Sequence, residues 1–188
     1  MSAEGKGTRV PPVTSEGSDG DTSCGFTDAE LRRGVDLAFE VETAFEGRAL
    51  PDDDAIVKNH GQYWADDVAA AFRGKHWRDV SPALVSEYRY SLQFFTPAAL
   101  CFYLPAFIIL SLTWPGATLD MAWEGLFSVL TPPTDPGDSE FDRRFASLSP
   151  PQRRTVSRFV EHYVAIEASN PQDGRERTIA YWCGSPNK

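Results

Sequence analysis

The sequence lacks the cysteine patterns that build small metal sites and disulfide frameworks. Its three cysteines, Cys24, Cys101 and Cys183, are far apart, odd in number and form no C-x-x-C pair. Neither a zinc site nor a disulfide framework is indicated, and no metal or cofactor is expected. This cysteine usage favours a reducing compartment, and the N-terminus has no apolar signal-peptide segment, so we expect a cytoplasmic protein.

The common catalytic motifs are missing as well. The sequence contains no G-x-S-x-G, no G-x-x-x-x-G-K-[ST] and no G-x-G-x-x-G pattern, and no residue is predicted to be catalytic. The three histidines, His60, His76 and His162, form no H-E-x-x-H or H-x-H pattern, so surface or capping roles are expected for them. Cys101 lies in the most apolar stretch with no base nearby, which favours a core thiol over a nucleophile.

Basic residues are fewer than acidic ones, with 18 Lys and Arg against 27 Asp and Glu, so the net charge is −9. Residues 25–74 hold eleven acidic and five basic residues, so most of the acidic excess lies there. General binding to nucleic acid or to an anionic membrane is not expected, because both need clustered positive charge. The acidic excess fits either a solvated surface or a face that meets another protein with a basic surface.

A local group of arginines occurs late in the chain. Its members are Arg143, Arg144, Arg153, Arg154 and Arg158. These side chains could receive an acidic partner or pair with the acidic first third of the same chain, and the second interpretation is favoured.

Clean strand alternation and internal repeats are also absent, whereas helical spacing recurs along the chain. The sequence predicts a mainly α fold: a single-domain helical bundle around a central, proline-kinked apolar helix. Residues 1–24 are rich in Gly, Ser, Pro and Thr and are predicted to be a disordered N-terminal tail. Residues 25–183 are predicted to form the α-helical domain, and residues 184–188 a C-terminal tail.

Capping residues predict where helices begin. Thr27 with Glu30 and Ser149 with Gln152 have capping-box spacing, while Ser81-Pro82 and Thr96-Pro97 place a cap before a proline at the first helical position. The first helix is expected to end near Gly47, and others are expected over about 63–73, 81–94, 97–112, 119–130 and 149–170, with a short last helix. In the first helix the spacing predicts one face made of Leu31, Val35, Ala38, Phe39, Glu42 and Phe45.

The longest uncharged run covers residues 90–119. Its length would suffice for a membrane span, which needs about 20 apolar residues. Three prolines, at 97, 105 and 115, interrupt it, and its truly apolar part runs only from Ala98 to Leu112. A buried helix kinked near Pro105 is therefore favoured over a span.

One group of polar and aromatic residues is the strongest candidate for a binding site, and its members lie before and after the helix start at Ser81-Pro82. It consists of Trp77, Asp79, Glu87, Arg89 and Tyr103. If the helices pack antiparallel, these side chains could line a binding cleft. A buried structural network of tyrosines and an ion pair is the alternative, and it is favoured.

The segment from Leu92 to Phe107, LQFFTPAALCFYLPAF, resembles the hallmark of a family of bacterial proteins of unknown function that carry a "FLTPEAFRYYLPAFL"-like motif. The resemblance extends over roughly residues 27–182. Ala98 and Leu100-Cys101 replace the Glu, Phe and Arg of that motif. The resemblance implies a small soluble bacterial domain and carries over no activity or catalytic residue.

Two functions from different classes remain. The first is a protein–protein interaction module, immunity- or regulator-like, that recognises a partner with a basic surface. The second is a small enzyme with a site around Trp77, Asp79, Glu87, Arg89 and Tyr103. The lack of any catalytic motif together with the acidic first third favours the interaction module.

Overall fold

The computed structural model describes residues 27–113, 117–135, 139–166 and 174–184, and these ranges are mainly α-helical, as predicted. The helices are α1 (Asp28–Ala44), α2 (Tyr63–Phe72), α3 (Pro82–Glu87), α4 (Pro97–Thr113), α5 (Ala117–Leu130), α6 (Ser139–Phe145), α7 (Pro150–Ile166) and α8 (Arg175–Trp182). Short 3₁₀-helices occupy Asp53–Ala55, Trp77–Asp79 and Ser91–Gln93. The predicted tail 1–24 and residues 185–188 lie outside the described ranges.

Side-chain caps fix the helix starts that the sequence predicted. Thr27 and Glu30 form the reciprocal capping box: the Glu30 amide donates to the Thr27 hydroxyl at 3.3 Å, and the Thr27 amide donates to the Glu30 carboxylate at 2.7 Å. Ser149 and Gln152 exchange the same pair of bonds at the start of α7. The Ser81 hydroxyl accepts from the amide three residues on, at 3.2 Å. Each cap satisfies an amide that the first turn of a helix leaves without a partner.

Thr96 caps α4 and also ties it to the segment before α2. Its hydroxyl accepts from the Ala99 amide at 3.2 Å and donates to the Ala55 carbonyl at 2.5 Å. The Thr96 amide donates to the Ile56 carbonyl at 3.0 Å, beside an isolated antiparallel bridge between Val57 and Phe95. The start of α4 therefore holds the acidic turn at Asp53–Ala55 in place.

The apolar part of the uncharged run forms α4, which is buried on all sides over most of its length. It packs against α1, α5, α6 and the 3₁₀-helix Trp77–Asp79. Cys101 is buried within it, and its thiol donates to the Arg144 carbonyl at 3.2 Å, which confirms the core thiol. Among the described helices, none has the length and apolar character that a membrane crossing requires. Pro105 lies inside α4, and a kink there stays a prediction.

The predicted face of α1 is wrong at two positions. The side chains of Val35 and Phe39 are 56% and 70% exposed. The buried stripe of the helix is instead Gly34, Leu37, Ala38 and Val41. The cause lies at Gly34, where an added Cβ would meet the Leu112 carbonyl oxygen at 3.0 Å. Because glycine permits this close approach, its side of α1 packs against α4, and Val35 and Phe39 face outward.

The predicted helix over 81–94 is also wrong, because α3 ends at Glu87. The chain turns through Tyr88–Tyr90 and continues as the 3₁₀-helix Ser91–Gln93. The reason is the approach of α5: a Cβ at Gly125 would lie 2.4 Å from the Arg89 carbonyl oxygen. Helix α6 was not predicted, and its Phe141 and Phe145 enter the core.

Candidate functional site

Tyr103 is the most deeply buried of the five predicted binding residues. Its ring has no exposed surface, and its hydroxyl lies 2.8 Å from the Phe72 carbonyl and 3.1 Å from the Lys75 carbonyl. Burial raises the pKa of Tyr103 to about 12, with a smaller contribution from Asp53. The phenol is therefore neutral at physiological pH and satisfies the backbone at the end of α2, which is a structural role.

Trp77 is buried as well, and Asp79 is exposed at the other end of the same 3₁₀-helix. The Arg78 guanidinium lies 4.6 Å from the centre of the Trp77 ring. Arg78 also donates to the Glu42 carboxylate of α1 at 3.1 Å and lies 3.9 Å from that of Glu46. This segment consequently fastens the loop after α2 to α1.

Glu87 and Arg89 flank the end of α3. Glu87 is exposed, while the Arg89 guanidinium donates to the Ser86 carbonyl at 3.0 Å and lies 5.3 Å from the centre of the Tyr90 ring. Within the described residues, no hydrogen bond or ion pair joins any two of Trp77, Asp79, Glu87, Arg89 and Tyr103. A shared binding role for these five side chains stays a prediction.

A second polar surface, which the sequence did not single out, lies where the 3₁₀-helix Asp53–Ala55 meets α2. We call it the acidic face, and its members are Asp52, Asp53, Asp54, Trp64, Asp66 and Asp67. All six side chains are exposed, and that of Trp64 is 64% exposed. Trp64 and Asp67 are three residues apart on α2, so they are neighbours on one side of the helix.

His60 holds the two segments of the acidic face together. Its Nε2 lies 3.2 Å from the Asp54 carbonyl oxygen, and its Nδ1 lies 3.3 Å from the Asp66 carboxylate. The Gly61 amide donates to the same carboxylate at 3.1 and 3.2 Å. Gly61 has a φ of 89°, a conformation that glycine adopts without strain. These contacts fix the Asp66 carboxylate and the Asp54 backbone relative to each other.

The acidic face carries little compensating charge. Arg73 lies 3.8 Å from the Asp53 carboxylate, and both side chains are more than half exposed, so this ion pair is weak. Burial raises the pKa of Tyr88, and the Glu87 and Asp67 carboxylates raise it further. Because both carboxylates act on the same phenol, Glu87 extends the negative region of the acidic face. In the described part of the chain, no three His, Cys, Asp or Glu side chains are grouped to hold a metal ion. The face therefore offers spaced carboxylates beside an indole.

The sequence signal for this face was small. Trp64 lies two residues before Asp66, but Asp54 belongs to an earlier segment, and the sequence does not show that His60 joins the two segments. His60 was expected to have a surface or capping role, and His76 does cap the 3₁₀-helix at Trp77 by accepting from the Arg78 amide at 3.2 Å.

The fold described above places the chain among mainly α proteins. The chain matches the model of a family of unknown function, DUF6714, over residues 27–185, and it belongs to that family. No curated protein and no solved structure matches this chain. The expected span of the family resemblance, 27–182, lies within the matched residues. The bacterial origin and the hallmark motif stay predictions.

Proposed function

We propose that this protein is a protein–protein interaction module that binds a partner with a basic surface through the acidic face. The observation that carries the proposal is the 64% exposed Trp64 beside the exposed carboxylate of Asp67. Tryptophan is enriched among the residues that dominate binding energy at protein interfaces, and a polar rim surrounds the buried centre of such interfaces. An immunity-like or regulator-like module would use such a surface to cover a basic site on its target.

The rigidity of the acidic face supports this proposal. Thr96 holds the Ala55 carbonyl, and His60 bridges the Asp54 carbonyl to the Asp66 carboxylate, so the backbone that carries the carboxylates is held in place before a partner arrives. Preorganised surfaces lose less conformational entropy on binding. A surface of exposed carboxylates also speeds the encounter with a basic partner, and salt weakens this effect.

The alternative, a small enzyme around Trp77, Asp79, Glu87, Arg89 and Tyr103, has less support. The Tyr103 hydroxyl is engaged by two backbone carbonyls, and Trp77 packs under Arg78. Glu87 contributes to the edge of the acidic face, which agrees with a surface role.

Comparative affinity capture tests the proposal. The immobilised chain is exposed to lysate of its source organism beside two variants, Trp64→Ala and the double variant D54N/D67N. Phe39→Ala and Glu176→Gln serve as matched controls, because they alter an exposed aromatic and an exposed carboxylate on α1 and α8. We expect a basic protein that the native chain and both controls retain and both face variants lose. If all five chains retain the same basic protein, or if only Phe39→Ala loses it, binding through the acidic face is refuted.

A further inference from the structure

Helices α1 and α7 enclose a cleft of about 370 Å³ that is separate from the acidic face. The two helices run antiparallel, because Glu40 pairs with Arg158 at one level while Glu30 and Arg33 lie near His162 one turn further along α7. Leu37 of α1 contributes an apolar side chain to the lining of the cleft. A volume of this size is in the range of small-molecule sites.

Three charged groups of the cleft are already engaged within the protein. The Arg158 guanidinium donates to the Glu40 carboxylate across the cleft, and this ion pair joins the two helices. The Glu30 carboxylate accepts from the amide and the hydroxyl of Thr27, which lowers the pKa of Glu30 and keeps it ionised. These groups shape the cleft and are occupied without a ligand.

Groups of both signs remain available on the same wall. Arg33 donates through Nε to the Ala29 carbonyl at 3.2 Å, and within the described chain no carboxylate lies at ion-pair distance from it. Asp36, one turn further along α1, is exposed and likewise has no ion-pair partner in the described ranges. The two side chains face one cavity without neutralising each other.

His162 stands opposite Arg33 on α7. Its imidazole is half-buried and makes no hydrogen bond to any described residue. Burial lowers its pKa, Arg33 lowers it further, and Glu30 opposes the shift. The ring is therefore mostly neutral near pH 7 and offers one N–H donor and one acceptor. Glu161 precedes it on the same side of the cleft and also lies close to the Cys183 thiol.

We propose that the α1–α7 cleft binds a small zwitterion of amino-acid size. The ligand carboxylate is held by Arg33 and His162, and the ligand ammonium by Asp36 and Glu161. An apolar ligand side chain lies against Leu37 and the adjoining Ala165 and Ile166. A purely anionic ligand would be repelled by the carboxylates of Asp36 and Glu161, and a purely cationic ligand by Arg33, so the zwitterion fits the available charges best. This site is independent of the proposed protein interaction.

Titration calorimetry tests the ligand class on the full chain at neutral pH and low salt. Glycine, alanine and leucine are each compared with their N-acetyl and their amide forms, which lack the ammonium and the carboxylate respectively. We expect saturable binding that is strongest for leucine and at least about tenfold weaker for every blocked form. Absence of binding by all three amino acids, or equal binding by the N-acetyl or amide forms, would overturn the proposal.

Matched variants locate the site. Arg33→Gln and Asp36→Asn remove one charge each with little change in volume, and we expect each to weaken leucine binding at least about tenfold. Arg32→Gln and Glu124→Gln are the controls, because both residues are exposed and neither lines the cleft. Circular dichroism establishes that all four chains fold. If affinity is unchanged in both cleft variants, or falls equally in the controls, the ligand does not occupy this cleft.

Discussion

The hydroxyl of Tyr103 donates a hydrogen bond of 2.8 Å to the carbonyl oxygen of Phe72, the last residue of α2. The rings of the same two residues also meet edge to face, with their centres 5.0 Å apart. This double contact fixes the end of α2 on the apolar helix α4. Because Trp64, Asp66 and Asp67 lie on α2, it also contributes to holding the acidic face in position.

Replacing Tyr103 by phenylalanine tests this contact. The variant keeps the ring but removes the hydroxyl that contacts the Phe72 and Lys75 carbonyls, while the Lys75 amide still donates to the Phe72 carbonyl at 3.1 Å. We therefore expect the free energy of unfolding to fall by about 1 kcal/mol, the net value of one hydrogen bond. Urea denaturation measures the change. Tyr90→Phe is the matched control, because that side chain is 43% exposed, and its effect should stay within about 0.5 kcal/mol. Equal effects for both variants would mean that the Tyr103 hydroxyl contributes nothing to stability.

We expect alkaline pH to lower the stability of the native protein through the Tyr103 hydroxyl. The folded-state pKa of about 12 lies above the ordinary value of 10, so the native state retains a proton that the unfolded chain loses. The stabilisation is complete below pH 10 and is lost as the pH rises from 10 to 12. The stability difference between the native chain and Tyr103→Phe should therefore narrow between about pH 9 and about pH 11. A difference that is constant over this range would contradict the shifted pKa.

Thr96 offers a third prediction, because its hydroxyl caps α4 and donates to Ala55. Thr96→Ala removes both bonds and should lower the free energy of unfolding by about 1–2 kcal/mol, as measured by urea denaturation. Thr96→Ser keeps the hydroxyl and should recover most of this loss. If serine and alanine destabilise equally, the cost comes from the lost methyl group and not from the cap.

Gly125 should not tolerate a side chain. A Cβ at this position would lie 2.4 Å from the Arg89 carbonyl oxygen, so α5 would have to move away from the turn after α3. We expect Gly125→Ala to lower the melting temperature and to cost about 1–3 kcal/mol or more. Ser128→Ala, an exposed change on the same helix, should have little effect. A Gly125→Ala chain as stable as the native protein would show that the two segments are not packed this closely.

The sequence predicted the helix starts because capping is local. Thr27, Ser81, Thr96 and Ser149 each bond to an amide three residues away, so the pattern is complete within four residues. The burial of α4 was predictable for a similar reason, since the prolines that argue against a membrane span lie in the uncharged run itself.

Features that depend on close backbone approach were not predictable from spacing. Gly34 carries no hydropathy signal, yet it permits the close approach of α1 to the end of α4, and Gly125 permits that of α5 to the turn after α3. The α1–α7 cleft combines segments that are far apart in the chain, such as Arg33 with His162. Only the packed helices bring such residues together.

The most direct test of the interaction proposal is the affinity of the captured partner as a function of salt. Calorimetry compares the native chain with D54N/D67N at about 50 mM and about 500 mM salt, concentrations that differ strongly in electrostatic screening. We predict that salt weakens native binding at least about tenfold, and that the double variant binds weakly with little salt dependence. Native binding that is independent of salt, or a double variant that binds as tightly as the native chain, would contradict recognition of a basic partner by the acidic face.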